Sequence, residues 1–174
     1  MYNVFVTQKL IAFCSYKIIW LSGVWGSTVG IAFLTPIFTA LYAYWTIQQQ
    51  QRKGLFMTFI LSISLSGMIL ESMVLNHTVY LFTPARAFIP YWLMAIWVAF
   101  PCMCATSLKQ PLKHPLFAIA MGSIFGPLAY QGAASMGCIE LIHGIYGIGT
   151  LSLAWATVLF MIHRWIKILP DHSL

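Results

Sequence analysis

Charge is what this sequence has least of. Of 174 residues, nine are Lys or Arg and three are Asp or Glu, 7% in all, against roughly a quarter in ordinary soluble domains. Twelve charged side chains could not cover the surface of a soluble globule of this length. The 60% apolar content excludes disorder, because such a chain buries surface somewhere. The +6 net charge comes from scattered basic residues, which argues against a nucleic-acid partner.

Three acidic residues and five histidines also limit metal chemistry. A carboxylate-bridged di-iron bundle requires four Glu and two His, and a histidine-box desaturase needs more than five histidines. No C-x-x-C pair occurs among Cys14, Cys102, Cys104 and Cys138, so these read as thiols packed like small hydrophobes. Gly-x-Ser-x-Gly, the Walker loop, His-Glu-x-x-His and the dinucleotide fingerprint are all absent. Neither a metal nor a cofactor is expected. The N-terminus lacks a signal-peptide cleavage pattern and reads as a retained helix, and the final Asp-His-Ser-Leu carries no lipidation signal.

Long apolar runs are abundant. They cover Leu10 to Trp45, Leu55 to Leu75, Ile89 to Cys104, Leu116 to Met136 and Ile145 to Ile166. As one helix the first run would measure about 54 Å, far beyond a hydrocarbon core of roughly 30 Å. It should break within the stretch Gly23 to Gly30. The expectation is an all-α polytopic membrane protein, a bundle of about six transmembrane helices forming a single transmembrane domain over 1–174. The approximate spans are 7–24, 28–47, 55–76, 88–106, 115–136 and 145–166. Trp25, Trp45, Trp92 and Trp165 fall near span ends, as an aromatic belt would place them.

With six spans, Lys9, Arg52, Lys53, Lys109, Lys113, Arg164 and Lys167 share one side, together with His114, His163 and His172. The other side has Arg86 alone, with His77 and His143 near it. Basic residues collect in the cytoplasm, so both termini should be cytoplasmic.

The remaining charges stand out. Glu71 lies inside the third span, on one face with Ser64, Gly67 and Thr78 by helical spacing. Lys17 lies near the middle of the first. An ionisable group in a span is expensive and marks function by default. Two readings of Glu71 stay open: an ion, proton or substrate site, or a structural carboxyl group near the interface, protonated or paired with Lys17. Ser62-x-Ser64-x-Ser66-Gly67 reads as a packing face.

In the fifth span, Ala118-x-x-x-Gly122-x-x-x-Gly126 lets two backbones approach closely. Pro127 removes an amide donor there and should kink the helix. Tyr130 follows one turn after Gly126. This segment serves packing alone, or lines a cavity with Glu71 and Tyr130. Glu140-x-x-His143 with His77 could form one outer-face metal site, though interfacial polar residues are the plainer reading.

Three segments together resemble a known group. They are Gly67-Met-Ile-Leu-Glu71-Ser72, Pro90-Tyr-Trp92-Leu-Met-Ala-Ile-Trp97-Val-Ala-Phe100, and Gly122-x-x-x-Gly126-Pro127-Leu128-x-Tyr130-x-x-Ala133. The group is an uncharacterised family, a domain of unknown function, of small multi-pass bacterial inner-membrane proteins. Glu71 stands where the family usually has Asp, and Met103-Cys-Ala-Thr106-Ser107 replaces a turn that often carries an Asn-His pair. The resemblance implies a bacterial inner-membrane location and no established activity.

Three functions remain in view. The first is a non-enzymatic membrane component or accessory, in contact with the lipid bilayer and with another membrane protein. The others are a membrane-lipid (fatty-acid) modifying enzyme or its accessory, and a small-solute or proton-coupled transporter.

Overall fold

Gly30 ends the first helix. In the computed structural model, which describes residues 2–170, helix α1 runs Tyr2–Val29 and Gly30 takes a φ of +83°. The Ile31 amide donates back to the Gly26 carbonyl at 2.9 Å, and helix α2, Leu34–Gln48, then turns back along α1. The break therefore falls at the far end of the glycine-rich stretch, several residues later than spans 7–24 and 28–47 require. Gly23 and Gly26 stay helical because close packing uses them. A Cβ on Gly23 would lie 2.9 Å from the Ile96 side chain, and one on Gly26 would lie 3.2 Å from the Ala32 amide.

Helix α3, Lys53–Leu70, continues as one π-turn over Glu71–Leu75. The Asn76 amide closes that turn on the Glu71 carbonyl at 2.8 Å. The chain then leaves helical geometry, and Thr78 bonds back to Val74 instead of extending the Glu71 face. A short strand follows. β1, Tyr80–Phe82, pairs antiparallel with β2, Ile139–Leu141, in the register Tyr80↔Leu141, Leu81↔Glu140 and Phe82↔Ile139. This two-stranded ribbon ties the connection after α3 to the one after α5.

Helix α4, Tyr91–Thr106, is the central element, packed on α1, α2 and α3. Most of its side chains are buried, including Trp92, Trp97, Phe100, Cys102 and Cys104. After a 3₁₀ turn, Pro111–Lys113, come helix α5, Pro115–Ser135, and helix α6, Gly144–Ile166. Pro127 lies inside α5, which continues on both sides of it. His163 of α6 is buried, and its Nδ1–H donates to the Leu112 carbonyl at 2.8 Å. Asp171 and His172 lie outside the described residues.

Among the described residues there are thus six α-helices. Four segments are long and apolar enough to cross a membrane: Val6–Val29, Lys53–Leu75, Pro115–Ser135 and Gly144–Ile166. α4 is apolar but shorter. The outward faces are apolar too, with Leu116 80% and Leu153 72% exposed, and with Leu10, Leu41, Leu61 and Leu65 also outside. So much exposed hydrocarbon would drive aggregation in water and matches a bilayer as solvent. Cys14 joins this outer face rather than the core, whereas Cys102, Cys104 and Cys138 are buried.

Candidate functional site

Ser64 and Gly67 of α3 share one face by helical spacing with Glu71, the first residue of the π-turn, and each meets α4. The Ser64 hydroxyl donates to the Trp97 carbonyl at 3.0 Å. Gly67 lies flush against the Trp97 indole, where an added Cβ would come within 2.1 Å of the ring. That close approach lets the indole Nε1–H reach Glu71 Oε1 at 3.2 Å. The Tyr130 hydroxyl, from α5, donates to the same oxygen. The Tyr80 hydroxyl, from β1, donates to Oε2 at 2.6 Å.

Glu71 is 1% exposed. A buried carboxylate persists only where hydrogen bonds replace its hydration. A hydrogen bond is worth about 0.5–1.5 kcal/mol between neutral groups and about 1.5–3 to a charged one, so the three donors offset part of the desolvation. The carboxylate also joins four elements: the end of α3, β1, α4 and α5. The π-turn that begins at Glu71 belongs to the same geometry, as π-turns often do at functional sites.

Aromatic rings surround the cluster. Tyr80 and Tyr130 lie 5.4 Å apart between centroids, and Trp97 stacks on Trp155 of α6 at 5.2 Å with planes 15° apart. Burial first, then the neighbouring Glu71 carboxylate, hold the Tyr80 phenol well above the ordinary tyrosine range. Tyr80 therefore stays a protonated donor. Beside Glu71 is a cavity of about 70 Å³, walled by Tyr80, Phe82, Trp92 and Trp97 among others. Its surface is almost entirely hydrocarbon and aromatic ring, with the carboxyl and phenol groups at one place.

Glu71, Ser64 and Tyr130 are thus brought together, with Gly67 as the contact that admits Trp97. Lys17 is not. Its ammonium lies over the Phe13 ring, 5.3 Å from the centroid, and Glu71 takes its donors from Tyr80, Trp97 and Tyr130. The reason is directional: helical side chains slant towards their own N-terminus. Lys17 therefore reaches back one turn along α1, while Glu71 sits at the opposite end of the bundle.

Gly122 and Gly126 face α6, where Cβ atoms would come within 2.3 Å of the Trp155 carbonyl and indole respectively. They let α5 and α6 pack closely within this chain. Glu140 lies in β2 and His143 takes left-handed geometry before α6, so the two do not share a helix face. Among the described residues, no group of three His, Cys, Asp or Glu could hold a metal ion.

Tyr80 and Trp97 were not singled out as site residues from the sequence. Val79-Tyr80-Leu81-Phe82 before Thr83-Pro84 is a short strand signal that could have drawn attention to Tyr80. Trp97 occurs in a family-like segment without a role attached.

The fold and the buried cluster define an all-α protein with four helical segments long and apolar enough to cross a membrane and a carboxyl group held in its interior. More particularly, the chain belongs to the family described as Protein of unknown function (DUF2878), which it matches over residues 9–161. That range contains Lys17, Glu71, Tyr80, Trp97, Gly126 and Tyr130. No curated protein and no solved structure matches the chain.

Proposed function

We propose that this protein is a non-enzymatic component of the bacterial inner membrane that serves another membrane protein as an accessory or scaffold. In this reading it crosses the bilayer six times with both termini in the cytoplasm. The seven basic residues on the side of the termini support the orientation.

The observation that carries the reading is the use made of Glu71. Both of its oxygens receive donors from the chain's own side chains, and the carboxylate links four elements. A general acid or base must present its oxygen to a substrate within hydrogen-bond reach. Here that reach is taken up by two tyrosines and a tryptophan.

The cavity beside Glu71 favours a second reading, a lipid-modifying enzyme, and an intramembrane carboxylate also suits a transporter. Lipid and metabolite profiling of a deletion strain, complemented with wild type or Glu71→Gln at matched protein level, separates them. Equal restoration by both proteins is expected of an accessory. Loss of a specific lipid product in the Glu71→Gln strain, or turnover of a substrate by the purified protein alone, would overturn that reading. A reporter fused to the C-terminus should report cytoplasm.

A further inference from the structure

Helices α1 and α5 border a second, larger space, which adjoins the cavity at Glu71 through Tyr16, Trp20, Phe100, Ala129 and Trp155. It measures about 500 Å³, within the 300–1,000 Å³ range of small-molecule sites. Its rim is exposed hydrocarbon: Phe13 and Leu21 on α1, Phe125 and Leu128 on α5. Its floor is buried, formed by Tyr16, Phe100, Met103 and Leu159. At the upper end Trp20 closes onto α5, where a Cβ on Gly132 would lie 3.4 Å from the indole. The space is therefore a slot entered from the side of the bundle.

One charge lies on that rim. Lys17 lines the slot, and its stem folds back over Phe13 towards the start of α1. The level of this end is marked by Ser107, at the end of α4, whose hydroxyl donates to the Lys9 carbonyl at 2.8 Å. Lys17 is eight residues, about 12 Å, further along the helix, and the returning stem recovers roughly half of that distance. The ammonium thus stands about 6 Å inward of the level of Lys9, above a slot of hydrocarbon.

We propose that the α1/α5 slot holds one acyl chain of an anionic phospholipid, with the lipid phosphate on the Lys17 ammonium. Basic pockets between membrane helices bind anionic headgroups in this way. Charge selects the lipid: no carboxylate among the described residues lining the slot stands ready for the amine of a zwitterionic headgroup. Size selects a chain over a partner helix, because about 500 Å³ is too little for even two turns of a helix roughly 10–12 Å across. The outward exposure of the rim gives the chain entry directly from the bilayer.

Native mass spectrometry of the purified full chain, offered phosphatidylglycerol or phosphatidylcholine, tests this. One phosphatidylglycerol should be retained in preference to phosphatidylcholine. Retention should fall about five- to tenfold in Lys17→Met and hold in Lys17→Arg. Ala129→Phe fills the slot, together with the edge of the Glu71 cavity that Ala129 also lines, and should release the lipid. Should that variant fail to fold, Leu128→Trp narrows the exposed rim to the same end. Equal retention of the two lipids, or phosphatidylglycerol retention unchanged in Lys17→Met, overturns the proposal.

Discussion

The α-carbon of Gly67 faces the indole of Trp97 so closely that a methyl group on Gly67 would lie 2.1 Å from the ring. The contact places the Trp97 N–H on Glu71, one turn further along α3. A glycine in the middle of a helix costs about 0.5–1 kcal/mol relative to alanine, so relief of that cost would favour Gly67→Ala if there were room. Without room, the indole must move or the helices must part, at about 1–3 kcal/mol. Gly67→Ala should therefore lower the midpoint of thermal unfolding in detergent. An unchanged or raised midpoint would show that Trp97 is free to give way.

Substitutions at Glu71 should divide by hydrogen-bonding capacity rather than by charge. In Glu71→Gln one oxygen can still accept from Trp97 and Tyr130, and the new amide can donate to the Tyr80 oxygen. The expected loss is about 1 kcal/mol. Glu71→Leu leaves an indole N–H and two phenols without an acceptor in the interior, each at about 1–3 kcal/mol. Comparing the two by thermal unfolding tests this, and equal losses would mean that charge governs.

The membrane class and the helical order were legible because they rest on long averages. Apolar runs survive errors of several residues at any boundary. The break between α1 and α2 was less legible. Gly23, Gly26 and Gly30 look alike in sequence, and only packing against Ile96 and the Ala32 backbone separates the first two from the residue that takes positive φ. Glu71 was conspicuous as a carboxylate among apolar residues. Of its partners, Tyr130 was legible from its place one turn after Gly126, but Tyr80 and Trp97 were not, since each comes from a separate element and neither is unusual among apolar neighbours. A pairing with Lys17 followed from counting charges, but hydroxyl and indole donors satisfy a carboxylate without a counter-charge. The strands of three residues each are too short for alternation to reveal.

Because Lys17 and Glu71 belong to separate places, their substitutions should be independent. Side chains with no shared partner usually add to within about 0.5 kcal/mol. Lys17→Met and Glu71→Leu, alone and combined, should give unfolding losses that sum. Recovery of stability in the double variant would instead show that the two charges pair in the membrane.

Gly126 provides the sharpest test of how α5 meets α6. A Cβ there would lie 2.3 Å from Trp155 Cγ, and Trp155 in turn stacks on Trp97, which donates to Glu71. Small residues allow close helix approach in a bilayer, where association depends on packing and not on exclusion of water. Gly126→Ala should consequently do more than separate two helices. It should displace Trp155 and, through the stacked indole, loosen the cluster around Glu71. A loss of about 1–3 kcal/mol is expected from overpacking. The same mechanism makes the effect of Gly126→Ala smaller in a Glu71→Leu background, where the Trp97 bond is already gone. Thermal unfolding of the two single variants and the double checks this, and strict additivity would confine the role of Gly126 to the α5–α6 contact.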